Sequence, residues 1–314
     1  MTNTIPNRRA VIDVGTNSVK LLVGDIAGGM VTPVSEASKQ TRLGAGLYGA
    51  RQLQRPAIDL TAEAVAEFSR AASGLGAAPA RVIATSAARD AINADELTDA
   101  IQRRCGLKME VLSGDKEADW VFRGVTTNPT LTRSPVLILD VGGGSTEIIV
   151  GDNAAPQFRG SYSLGAVRLL ELLRPGDPPG LRSLLRCRCW LRDFLKKEVA
   201  PLVKPALKSS RRAVRLVGAG GTATILARIE AKMADFDRDK IEVTTLTLDG
   251  IRGILESQWQ MTQAERRNIV GLPPNRSDVI LTGVAIYESI MEEFEFKDLA
   301  VSTRGLRFWA LLQR

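Results

Sequence analysis

Apolar positions fall along this chain in two rhythms. Residues 10–24, AVIDVGTNSVKLLVG, are an apolar run closed by an aspartate, a small-residue turn and a second apolar run; residues 136–151, VLILDVGGGSTEIIVG, repeat the arrangement. A polar turn of four to six residues is too short to hold a crossover helix, so each copy predicts a β-hairpin. Other stretches carry helical spacing: LTAEAVAEFSRAASGLGA, TLDGIRGILESQW and VILTGVAIYESIMEEF. Between them, ARVIATSAARDA reads as a strand followed by a helix start, residues 108–112 as a strand, Ser113-Gly114 as a turn with a helix from about Lys116, and DLAVST as a strand before a last helix. PGDPPG at 175–180 is a rigid loop leading into basic helices. The pattern is that of an α/β protein.

Set at an offset of 127, the hairpins agree at seven of fifteen positions: Asp13 meets Asp140, Val14 meets Val141, Gly15 meets Gly142, Ser18 meets Ser145, and Val23-Gly24-Asp25 meets Val150-Gly151-Asp152. A duplicated unit predicts two similar domains. The repeated element also suggests chemistry. Glycine lets successive N–H groups approach and converge on an anion. Ser and Thr add hydroxyl donors, and the aspartate is a hard oxygen ligand suited to Mg²⁺ or to orienting a water. Each turn reads as a phosphate-holding device, and two facing turns would make a phosphate cleft. A third glycine cluster, RLVGAGGTATILARI, runs from a strand through Gly220, Gly221 and Thr222 into a helical stretch, a second kind of anion site.

With 314 residues there is room for two cores without staples. Apolar content of 44% and charged content of 25% are those of a soluble globular protein. Three cysteines (Cys105, Cys187, Cys189) suit a reducing cytoplasm and give no zinc-type spacing. No apolar run approaches membrane-spanning length, and the N-terminus MTNTIPNRR lacks the apolar stretch of a signal peptide; the expected location is cytoplasmic. Histidine is absent altogether, which excludes Ser-His-Asp and Cys-His catalysis and histidine-ligated zinc. Catalysis would rest on carboxylates, lysine, arginine, hydroxyls, amides and a hard cation. The net charge of +7 is uneven: Arg168 to Arg215 hold thirteen Lys/Arg against four Asp/Glu. Such a block fits a polyanionic partner as well as it fits a solvated helix surface.

The strings VIDVGTNSVKLLV, RLGAGL, ATSAARDA, VLSGDKEADWVFRGV, LILDVGGGSTEIIVG, SLGAVRLLE, DPP, LVGAGGTATILA and VSTRGLR occur in an order that resembles the exopolyphosphatase / guanosine pentaphosphate phosphohydrolase (Ppx/GppA) family. The length resembles that of its short members, without the C-terminal HD domain. The resemblance implies two RNase H-like domains of the actin, heat-shock chaperone and sugar kinase superfamily, with an active cleft between them. In that reading domain I covers 1–122 plus 303–314 and domain II covers 123–302. It implies hydrolysis of the terminal phosphate of polyphosphate or pppGpp with Mg²⁺ or a similar divalent cation, in a homodimer.

The resemblance also assigns roles. Glu117 matches the catalytic base, and Asp140 and Glu147 the metal- and water-organising carboxylates. Arg89 matches an arginine near the phosphates, where its planar fork can neutralise charge. Gly142, Gly143, Gly144, Ser145 and Thr146 would hold phosphate oxygens, as would Asp13, Gly15, Thr16, Asn17 and Ser18. Arg42, Ser86, Gly220, Gly221 and Thr222 complete the expected substrate-binding set. Two departures stand out. Glu242-Val243 replaces a family His-Gly, and VSTRGLRFW lacks the aspartate of the family's VSDGGLREG. The leading expectation is an exopolyphosphatase, favoured by the basic block. A pppGpp 5′-phosphohydrolase is the second; a sensor that binds alarmones (pppGpp or ppGpp) or polyphosphate with little catalysis is the third. A sugar kinase lacks a sugar-binding signature, and nucleic-acid binding lacks a stacking platform.

Overall fold

The computed structural model describes residues 7–131, 133–152 and 155–313. Residues 1–6, part of the stretch read for a signal peptide, lie outside them. The chain forms two compact units, Met1–Thr127 with Leu306–Arg314, and Asn128–Gly305.

In the first unit the strands are β1 (Asn7–Val14), β2 (Ser18–Ala27), β3 (Met30–Gln40), β4 (Arg81–Ala84) and β5 (Met109–Val111), in the order β3-β2-β1-β4-β5. The second unit has β6 (Val136–Val141), β7 (Thr146–Gly151), β8 (Pro156–Tyr162), β9 (Arg215–Ala219), β10 (Thr245–Thr247) and β11 (Asp298–Val301), in the order β8-β7-β6-β9-β11-β10. Both begin with three antiparallel strands and continue with two parallel ones; β10 is an antiparallel addition at the far edge. The two expected hairpins are present, β1–β2 and β6–β7, in the same register: Asp13 faces Lys20, and Asp140 faces Glu147.

The edge strands β3 and β8 escape a reading of periodicity because they are polar and each contains a proline. Their pairing repeats too. Gly24 lies opposite Pro33 and Gly151 opposite Pro156, each at a register shift that skips one residue. Proline cannot donate to a ladder, so it belongs on an edge strand at such a bulge. The repeated Val-Gly pair of the sequence therefore marks a bulge in both sheets.

The helix Arg55–Gly74 buries Ile58, Ala62, Val65, Phe68 and Ala72, one stripe at helical spacing, in the first core. The helix Gly114–Val125 begins two residues before the expected start, capped by Ser113, whose hydroxyl accepts from the Lys116 amide. In the second unit, Ile280–Glu293 is buried on every side from Ile280 to Met291 and forms the centre of that core. Its Glu288, fully enclosed, is gripped by Arg188 at 2.5 and 2.8 Å. An enclosed carboxylate without such a partner would carry a large desolvation penalty. The basic block forms the helices Gly180–Phe194 and Ala200–Ser209, joined through a wider π turn at Leu195–Val199 just before Pro201, whose missing N–H would break the ordinary ladder.

Candidate active site

In the second unit, Asp140, Glu147 and Ser161 form one rung across β6, β7 and β8. Directly opposed residues project from the same face. The Ser161 hydroxyl donates to Glu147 Oε1 at 2.7 Å and fixes that buried carboxylate. The first unit carries the same rung, Asp13, Lys20 and Ser38, with the middle charge reversed. Burial pushes the Asp13 carboxyl above the usual carboxylate range, while Lys20 and Arg307 pull it down. Although the residue keeps partial exposure, its Oδ1 is shut away without a hydrogen-bond partner.

Beside each rung is the expected turn, closed by the same hydrogen bond: the Gly15 amide donates to Ser18 O at 3.1 Å and the Gly142 amide to Ser145 O at 3.0 Å. The segment after the third strand docks back onto each turn. In the second unit, Gly142 O accepts from the Ala166 amide, Gly143 O from the amides of Val167 and Arg168, and Gly144 O from Arg168 Nε. In a trans peptide the carbonyl and the next N–H point in opposite directions. The N–H groups of Gly143, Gly144 and Ser145 are therefore all directed away from the helix Ala166–Leu173. In the first unit, Thr16 O accepts from the Gly44 amide and Asn17 O from the amides of Thr41 and Arg42, which turns the N–H groups of Asn17 and Ser18 the other way.

The docking segments share the tripeptide Leu-Gly-Ala, at Leu43–Ala45 and Leu164–Ala166. This second internal repeat is the signal that sequence reasoning missed. Both leucines are buried, and a Cβ on either glycine would strike its turn: 2.3 Å from Thr16 Cγ2 at Gly44, and 2.5 Å from the Gly143 carbonyl at Gly165.

Several expected donors are used inside the fold. The Thr146 hydroxyl donates to Leu164 O at 2.5 Å and the Thr222 hydroxyl to Val141 O at 3.1 Å, so neither proton is available to a phosphate oxygen. Ser86 donates to Asp90 at 3.1 Å. Gly220, with φ +78°, lies so close to Asp140 that a Cβ would come 2.0 Å from its Oδ1; together with Gly221 it begins the helix Gly220–Glu230, whose positive end suits that carboxylate. Arg42 holds φ +51° at the turn-docking segment. The Asn17 side-chain amide is buried with its Nδ2 unpartnered.

Glu117 is buried in the first turn of its helix, on the first unit. Arg89 Nη1 donates to its Oε2 at 2.8 Å and to Leu112 O at 3.1 Å. These contacts of Arg89 Nη1 orient Glu117, a tie that the resemblance did not include. In the basic block, Arg188 is paired with Glu288 and Glu256, Lys204 with Glu293, and Arg186 with Leu173 O.

For a divalent cation, the described residues hold no cluster of three or more acidic, cysteine or histidine ligands. Mg²⁺ does not require one, because it keeps several waters and takes one or two carboxylates plus substrate phosphates. The Asp140–Glu147 pair fits that demand; the Asp13–Lys20 pair, carrying an ammonium, does not.

A profile of the Ppx/GppA phosphatase family matches residues 22–311. The chain belongs to that family. It is 31% identical over 302 residues to Exopolyphosphatase 2 of Mycobacterium tuberculosis, covering 91% of this chain and 90% of that one. The crystal structure of the Aquifex aeolicus Ppx/GppA family member matches with a TM-score of 0.78 at 28% identity, over 97% of this chain and 96% of that one. An exopolyphosphatase from Cytophaga hutchinsonii matches at 0.86 with 25% identity, over 97% and 96%. The paired α/β units are those of the two-domain actin-like fold of Ppx/GppA proteins.

The two departures from the family pattern touch one another. Glu242 accepts from the Thr303 hydroxyl and, at 3.3 Å, from its amide; Arg304 Nε lies 3.9 Å away, and Asn128 Nδ2 donates to Oε2 at 3.1 Å. One changed residue is thus bonded to the other. No described helix is long and apolar enough to cross a membrane.

Proposed function

We propose that this Ppx/GppA protein is an exopolyphosphatase that removes the terminal phosphate of inorganic polyphosphate. The observation that carries the reading is the Gly142–Ser145 turn, with three successive amides aimed to one side, beside a rung of two opposed carboxylates. Glu117 takes a proton from the attacking water, whose oxygen bonds to the terminal phosphorus as the phosphoanhydride bond breaks; the shortened chain leaves with the bridging oxygen. Arg89 holds Glu117 Oε2 and so fixes the orientation of the carboxylate that takes this proton. The amides of Gly143, Gly144 and Ser145 bind phosphate oxygens and stabilise the charge they carry in transfer. Asp140 and Glu147 would hold Mg²⁺, which supplies charge neutralisation on those oxygens.

Polyphosphate is preferred to pppGpp because the basic block offers a polyanion an extended positive surface. Three free cysteines accord with a cytoplasmic setting, and a homodimer is the assembly expected for the family. The test is phosphate release from polyphosphate and from pppGpp, side by side with Mg²⁺. Faster release from polyphosphate supports the proposal. Faster release from pppGpp makes the protein a pppGpp 5′-phosphohydrolase, and tight binding with no release makes it a sensor.

A further inference from the structure

The two turns are held by equivalent ties, with one difference. At the paired positions Thr16 and Gly143, the carbonyl accepts from main-chain amides. At the next position, Asn17 O again accepts from main-chain amides, whereas Gly144 O accepts from a side chain, Arg168 Nε at 2.8 Å. The same arginine's own amide donates to Gly143 O at 3.1 Å. Arg168 thus grips two consecutive peptide planes, and the second grip can be removed without touching the backbone.

We propose that Arg168 is a positioning residue of the phosphate-holding turn: by fixing the Gly144 carbonyl it aims the Ser145 N–H at the phosphate. This rests on the hydrolytic reading for its kinetic consequence but not for its geometric one. A glycine-rich turn has no side chains to hold its peptide planes and glycine visits many conformations, so an external tie is needed to keep the donor in place. Preorganised donors lose much of their catalytic worth when they are free to rotate.

The test uses the full chain, with Arg168→Ala and Arg168→Lys, and two readouts. The first is the set of backbone amide signals of Gly143, Gly144 and Ser145 in an NMR titration with inorganic triphosphate. In wild type all three should respond. In Arg168→Ala the Ser145 response should weaken, while that of Gly143, whose plane the main-chain ties still grip, persists. The second readout is polyphosphate hydrolysis. Arg168→Ala should lose roughly 10- to 100-fold in kcat/KM, mostly in kcat. Lysine keeps the charge but not the planar fork, so it should rescue only in part. Full rescue by lysine, or a loss confined to KM with the Ser145 signal unchanged, would mean that Arg168 serves only as a charge. Unresponsive amides in wild type would also overturn the proposal. If wild type releases no phosphate at all, the hydrolytic reading fails and the amide titration still decides the positioning claim. Should the alanine variant fail to fold, the lysine variant carries the same comparison.

Discussion

At the scale of single residues, the duplicated rungs show how one substitution divides the labour. Asp13–Lys20–Ser38 and Asp140–Glu147–Ser161 differ in backbone register not at all and in charge only at the centre. Glu147→Lys rewrites the second rung as the first. It should abolish Mg²⁺-dependent phosphate release while the protein still folds, as checked by circular dichroism and by activity across a Mg²⁺ series. Asp13 gives a prediction in pH. Its carboxyl is raised, so the folded state holds the proton more tightly than the unfolded chain does. Its contribution is intact below the ordinary carboxylate value, falls as pH rises through the raised one, and is flat beyond. Asp13→Asn should therefore melt higher than wild type at pH 7, with the gap closing toward pH 4; a lower melting temperature at pH 7 would contradict the assignment. Glu242 and Thr303 are bonded to each other, so their alanine variants should be non-additive in stability by about 0.5–3 kcal/mol, measured as a double-mutant cycle.

At the scale of elements, the sequence was readable wherever an apolar run met a turn with strong local chemistry. Both hairpins, the strands ending in Ala84 and Ala219 and the long helices belong here. The edge strands were not readable, because neither β3 nor β8 has a fully buried residue and both carry prolines that ordinarily argue against a strand. The capping of each turn was equally hidden. Leu-Gly-Ala is an unremarkable tripeptide until both copies are seen to dock on the same position of the repeat, where a Cβ has no room. Gly165→Ala should destabilise the second unit by about 1–3 kcal/mol in chemical denaturation, as overpacking against a backbone does, and should lower activity along with it. The residue roles supplied by the resemblance were legible by type but not by partner. Thr146 and Thr222 carry the right hydroxyls, yet only the packing around them reveals that their protons go to Leu164 and Val141.

At the scale of the whole molecule, the asymmetric charge is the feature that composition alone reports and that no single contact explains. Part of the basic block is neutralised within the fold, by Glu288, Glu256 and Glu293. Lys197, by contrast, stays 83% exposed with only a loose pairing to Glu198 at 3.6 Å, which salt and solvent screen. If the block guides polyphosphate, kcat/KM on long chains should fall as ionic strength rises, and Lys196→Gln/Lys197→Gln should flatten that dependence. The central claim is narrower: Glu117 activates the water that cleaves the terminal phosphate. Glu117→Gln keeps the size of the side chain and an acceptor for Arg89 but removes the base. Phosphate release from polyphosphate should drop by about 10²- to 10⁴-fold, with polyphosphate affinity close to that of wild type. A variant that binds and hydrolyses like wild type would contradict the account.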